Sequence, residues 1–186
     1  MTRWTTLVLV LFFLGPAAGQ EADPFADGAN GAKLHTASGF VCPLQIGSFE
    51  RDAVGQRDPQ TGADYCSYSA LDGVYGTITL QPLPQAYDPV ALLAPDFVVQ
   101  EGTGTRMIGE DRRTVGAKAR LSIYTRTYET ARLQNMQYRT LFTSGAVGAW
   151  AVDVTIEYAD PRDRELETAF LNAVYDAAVR RIGAAP

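Results

Sequence analysis

Residues 149–179 read AWAVDVTIEYADPRDRELETAFLNAVYDAAV, and the hydrophobic period changes halfway along. Trp150, Val152, Val154 and Ile156 alternate with Ala151, Asp153, Thr155 and Glu157, the two-residue repeat of a strand with one apolar face. Beyond Asp160-Pro161 the repeat becomes helical, with Leu166, Phe170, Ala173, Val174 and Ala177 in one stripe. Asp160 is placed to cap this helix and Pro161 to occupy its first turn. Asp163 and Glu165 sit near the positive end of its dipole and Arg180-Arg181 near the negative end, with Gly183 as the stop. A one-sided helix that follows a one-sided strand buries both faces by packing on the sheet.

The preceding segments extend that sheet. Lys118 to Tyr128 alternates, with Leu121, Ile123 and Thr125 on one face and Arg120, Ser122, Tyr124, Arg126 and Tyr128 on the other. Leu133 to Thr143 places Met136, Tyr138, Thr140 and Phe142 together. The three apolar sets are expected to line one core, and the short links ETAR and SGAVG make the strands an antiparallel meander. Thr105 to Val115 carries several charges, as an edge strand does. Upstream, Asp72-Gly73 joins two β-rich runs and predicts a hairpin with a two-residue turn. That turn pairs Leu71 with Val74 and Tyr65 with Leu80, and groups Tyr65, Leu71, Val74, Ile78 and Leu80 on one face. Gln81-Pro-Leu-Pro84 ends the second run. Asp88-Pro89 opens a middle helix that reaches about Gln100, with a kink or break expected at Pro95. The expected fold class is α+β: an antiparallel β-sheet with an N-terminal hairpin, one middle helix and a C-terminal helix packed on the sheet, as in an α/β/α sandwich.

The chain has 186 residues. Arg3, the apolar run Leu7–Leu14 and the small residues Ala17-Ala18-Gly19 read as a signal peptide over residues 1–19. The run falls far short of the ~20 apolar residues that span a bilayer, so no membrane anchor is expected after cleavage. Residues 20–38 lack apolar periodicity and read as a flexible leader, and residues 39–183 as a single domain. The expected location is the periplasm or the exterior. A net charge of −5 without a basic cluster argues against nucleic acid and anionic membrane surfaces as partners. In an oxidising compartment the two cysteines, Cys42 and Cys66, are expected to pair. The loop so closed is worth roughly 3 kcal/mol in the chain-entropy model.

Motifs of catalysis are sparse. His35 is the one histidine and falls in the expected leader, where a solvated side chain is the simplest reading. GxSxG, P-loop and HExxH patterns are absent from the sequence. Two cysteines and one histidine cannot fill a zinc site, the DPFADGANG run lacks the pattern of a calcium loop, and neither metal nor cofactor is expected. Asp153 and Glu157 share a strand face about 13 Å apart, too far for a glycosidase pair. A turn at SGAVG that pairs Phe142 with Trp150 sets Arg139 opposite Asp153 as a cross-strand ion pair. The outward face gathers Tyr124, Tyr128, Arg120, Arg126 and Arg139, residue types favoured in recognition. Either that face binds a partner, or the middle helix covers it, or it is solvated sheet.

The Asp72-Gly73 hairpin, the Asp88-Pro89 helix start, the AWAVDVTIEY strand and the ELETAFLNAVYDAAV helix together resemble the α/β/α sandwich of PsbP-like proteins, the extrinsic photosystem subunit and its bacterial relatives. LHTASGFVCPLQIGSFER and the Tyr-rich hairpin are also similar to secreted proteobacterial proteins. The first resemblance implies a binding or assembly role and carries over no catalytic residue. The expected function is a non-enzymatic exported envelope domain that binds a protein or small ligand. The alternatives are an accessory structural subunit of an envelope assembly and an enzyme of unfamiliar type with carboxylates or tyrosines in a cleft.

Overall fold

A computed structural model describes residues 23–133 and 136–183. The predicted signal peptide lies outside them. The strands are β1 (Phe25–Asp27), β2 (Lys33–His35), β3 (Val41–Cys42), β4 (Gln45–Ile46), β5 (Phe49–Asp58), β6 (Ala63–Ala70), β7 (Val74–Pro82), β8 (Arg106–Val115), β9 (Leu121–Leu133), β10 (Met136–Val147) and β11 (Trp150–Asp160). The helices are α1 (Pro89–Gly102) and α2 (Arg164–Arg181). The fold is α+β, as the period change at residue 160 demands.

The main sheet has eight strands in the order β4-β5-β6-β7-β11-β10-β9-β8. Every neighbouring pair is antiparallel. It consists of two meanders, β4–β7 and β8–β11. After β7, in the middle of the sheet, the chain crosses one face as α1 and reaches the far edge at β8. It then returns strand by strand until β11 zips onto β7, pairing Asp153 with Thr79 and Thr155 with Thr77. α2 turns back over the opposite face.

That opposite face holds the large core. Tyr68, Ile78, Ile123, Val154 and Ile156 from the sheet are buried with Phe170, Val174 and Tyr175 of α2. Tyr175 bonds the Thr143 hydroxyl at 2.7 Å and donates to the Val152 carbonyl at 3.0 Å, and burial holds its phenol well above the ordinary tyrosine range. Gly76 belongs to this packing. The Phe170 ring lies 2.8 Å from where a Cβ would stand, so any side chain there collides with the ring.

Several expectations are corrected. The β6–β7 link is a three-residue turn, Leu71–Gly73, and Ala70, not Leu71, pairs with Val74. Asp64 therefore pairs with Leu80, Tyr65 turns to the α1 side opposite Thr79, and Leu71 is 88% exposed. Tyr138, Thr140 and Phe142 likewise lie on the α1 side of β10. Leu141, paired with Ile156, is the residue that joins the α2 core. The β10–β11 turn is Gly148-Ala149, tight because Gly148 takes φ 57°.

The helix ends differ as well. α1 begins as predicted, with the Asp88 carboxylate accepting from the Val90 N–H at 2.9 Å. It passes unbroken through Pro95, because the carbonyl that loses its donor belongs to Ala91, on the exposed side of the helix. α2 begins at Arg164. Asp160 caps nothing there. It holds Arg139 at 2.7 Å and Arg164 at 2.6 Å.

The expected flexible leader is structured where it is described. β1 and β2 pair, β3 adds to β2, and Phe25 and His35 are buried. Cys42 and Cys66 form a disulfide, with Cα atoms 6.4 Å apart, that ties this small sheet to β6.

Candidate ligand cleft beneath the middle helix

Three side-chain groups outside the main core invite a functional reading. The first is the N-terminal clamp. His35, read from sequence as a solvated residue, is fully buried between Phe25 and Trp150. Its Nδ1 accepts from the Ser38 N–H at 3.3 Å and lies 2.6 Å from the Ser38 hydroxyl. Nε2–H is thereby left to donate to Asp64 Oδ2 at 2.9 Å. Serine, histidine and aspartate thus meet, yet the set is structural. The Ser38 oxygen is held by the Phe40 N–H at 3.1 Å, Ser38 is buried, and none of the principal cavities reaches it. The cluster and the disulfide fasten the first strands to the sheet. The signal available in the sequence was a lone histidine three residues before a serine. Its aspartate lies 29 residues further on, beyond the reach of pattern reading.

The second group is the predicted recognition face. α1 covers it. Phe97 and Leu93 pack on Tyr124, Tyr128 and Phe142, and both tyrosines are buried. The Arg126 guanidinium lies 3.9 Å over the Phe97 ring and pairs with Glu110 at 3.1 Å. Tyr124 donates to Glu110 at 2.9 Å and Tyr128 to Glu101 at 2.8 Å. Burial and the Glu110 contact push the Tyr124 phenol up to about 12. Arg139 is engaged with Asp160, and Arg120 stands apart in the turn before β9 at φ 48°. Tyr124, Tyr128 and Arg126 are thus an inner layer that seats α1, and the five residues do not form one exposed patch.

The third group was missed as a site. α1 covers β9 and β10 but leaves the same face of β5, β6, β7 and β11 uncovered, and a cleft runs between helix and sheet. One cavity, about 140 Å³, is lined by Arg57 and Asp58 of β5, Thr79 and Gln81 of β7, Asp96 of α1 and Asp153 of β11. The adjoining cavity, about 390 Å³, is floored by Tyr65, Ser67, Thr77, Thr155 and Glu157. Arg57 and Asp96 line both cavities, and their ion pair bridges β5 to α1 between them. Arg57 also donates to the Thr79 hydroxyl at 2.8 Å.

Asp153 is the buried carboxylate of this cleft. It is 4% exposed. Gln81 Nε2 donates to its Oδ2 at 2.7 Å, while Oδ1 is buried without a hydrogen-bond partner among the described residues. The hydroxyl of its cross-strand neighbour Ser144 is bonded to Tyr87 at 2.8 Å. Burial lifts the Asp153 carboxyl to about 6, against the opposing pull of Ser144, Gln81 and the Arg57 charge. The predicted Asp153–Arg139 pair does not form, because the tight turn at Gly148 sets Arg139 opposite Tyr158.

The architecture is similar to the solution structure of cyanobacterial PsbP (CyanoP) from Synechocystis sp. PCC 6803, with 13% sequence identity, 88% of this chain and 96% of that chain covered, and a TM-score of 0.50. The fold is PsbP-like. No family model matches the sequence, and no curated protein matches it. At this identity the likeness is one of fold, and it assigns no residue of the PsbP-like sheet a role.

The cleft's chemistry therefore rests on its own residues. It is rich in acceptors and hydroxyls. Among the described residues no three His, Cys, Asp or Glu side chains gather to hold a metal ion. Also among them, no helix is long and apolar enough to cross a membrane.

Proposed function

We propose that the protein is an exported, non-enzymatic envelope domain that holds a small ligand in the cleft between α1 and the sheet. One observation carries this reading: a hydroxyl-lined cleft contains a buried carboxylate oxygen with no hydrogen-bond partner among the described residues. A buried polar atom left unsatisfied costs on the order of 1–3 kcal/mol, and a ligand that supplies the missing donor removes that cost. Export is supported by the signal-like N-terminal sequence and by the Cys42–Cys66 disulfide. The accessory-subunit reading draws only on the fold resemblance.

The test is native mass spectrometry of the protein purified from the cell envelope, beside the variant Thr155→Phe, which fills the cleft floor. Wild-type protein is expected to carry a non-covalent adduct that the variant lacks. Identical spectra from the two proteins overturn the reading. N-terminal sequencing of the same material is expected to begin at about residue 20.

A further inference from the structure

We propose that the cavity at Asp153 is the head-group pocket of the cleft and that it takes a protonated primary amine. This rests on the reading of the cleft as a binding site and adds the class of ligand.

Charge decides against an anion. Asp58, Asp96 and Asp153 line the cavity with one cation, Arg57, and Arg57 is already committed to Asp96 and Thr79. Hydrogen-bond inventory decides for a donor. Asp153 Oδ1 is a buried acceptor without a hydrogen-bond donor among the described residues, the nearby Ser144 hydroxyl being bonded to Tyr87. Gln81 uses its amide N–H on Asp153 Oδ2, which leaves its carbonyl oxygen as a second acceptor. An ammonium brings three N–H donors, no acceptor and one positive charge, so it satisfies the orphaned oxygen and offsets the excess of carboxylates together. A neutral amide or alcohol supplies the donor but leaves the charge.

Size is consistent with a head group and a short stem. A cavity of about 140 Å³ corresponds to roughly four or five water-sized groups. A longer ligand can extend past the Arg57–Asp96 bridge into the adjoining cavity, where Ser67, Thr77 and Thr155 offer hydroxyls.

Binding then follows the ionisation of Asp153. The groups around that carboxyl are Arg57 and Asp58 from β5, Thr79 and Gln81 from β7, Ser144 from β10, Asp96 from α1 and Tyr87 from the loop before α1. With its carboxyl at about 6, Asp153 is ionised at neutral pH and mostly protonated at about pH 5, while the amine stays charged throughout. Affinity is expected to fall about tenfold over that interval.

Titration of the intact protein with propylammonium chloride, followed by amide chemical shifts at constant ionic strength, tests this. Saturable shifts are expected at Thr79, Gln81, Asp96 and Asp153, about tenfold weaker at about pH 5 and lost in Asp153→Asn. Absence of saturable shifts at neutral pH overturns the proposal. So does an equal response to tetramethylammonium, which has no N–H, or a response that is the same at both pH values. The wild-type pH series decides the matter even if the variant does not fold. A failed amine titration alongside a cleft-dependent adduct in the mass spectra retires the amine and leaves the cleft. Failure of both retires both.

Discussion

The two faces of the sheet are built on opposite terms. The α2 face is dry: aromatic and branched side chains fill it, and its polar groups, such as Thr143 and Tyr175, are bonded to one another. The α1 face carries a five-residue apolar cluster under part of the helix and a wet, charged cleft under the rest. The helices lie on opposite faces of one sheet, and alternation along each strand divides the side chains between them. Odd positions of β11 carry Asp153, Thr155 and Glu157, and even positions carry Val152, Val154 and Ile156. One face packs the fold together, and the other lines a cleft around the buried Asp153.

Four measurements test that contrast. Phe170→Ala on the dry face is expected to cost about 3–5 kcal/mol in urea unfolding, because the ring fills the space left by Gly76 and no neighbour replaces it. A loss below about 1 kcal/mol would mean that the α2 face is not where stability resides. Replacing Cys42 and Cys66 by serine is expected to cost roughly 3 kcal/mol, and alkylation without reductant should label neither cysteine in the wild type.

Asp153→Asn should do the reverse. The carboxyl is at about 6 in the folded protein against 3.8 in its unperturbed state. The folded state thus prefers the protonated form, and its favourable contribution, complete below the lower value, is lost as pH rises through the higher one. Asparagine mimics the protonated form. The variant should be more stable by about 2–3 kcal/mol above the higher value, with the gain fading on acidification. Equal stabilities at neutral pH would contradict a desolvated, ionised Asp153. Smallest is Arg106→Ala, which breaks an exposed pair with Glu129 at the sheet edge. It should change the midpoint by less than about 1 kcal/mol.

Much of this was legible in the chain. The 149–179 stretch specifies a strand followed by a helix, the two cysteines specify the staple, and Asp88-Pro89 specifies where α1 starts. What the sequence did not disclose shares one cause. A turn of another length than expected, one residue longer at Leu71–Gly73 and five shorter at Gly148-Ala149, slides the register and turns side chains to the other face. The three-residue turn at Leu71–Gly73 sent Tyr65 to the cleft and Asp64 to His35, and the tight turn at Gly148 moved Arg139 away from Asp153. Asp153 itself stood in plain view, as an acid in the middle of an apolar strand opposite Thr79. Its meaning depended on which layer lay above it. The covering of Tyr124 and Tyr128 by Phe97 was likewise one of three arrangements that the alternation alone allowed.

The ladder between β7 and β11 has a consequence for how the molecule is made. β11 is the last of the described strands, yet it sits in the interior of the sheet with β7 on one side and β10 on the other. Until residues 150–157 are available, both of those strands show a bare hydrogen-bonding edge lined with apolar side chains, and α2 has nothing to close upon. The sheet is thus assembled without its keystone until the last of its described strands is made. A nascent or threading chain cannot lock early, and it needs protection from sticking to its own kind until that strand arrives.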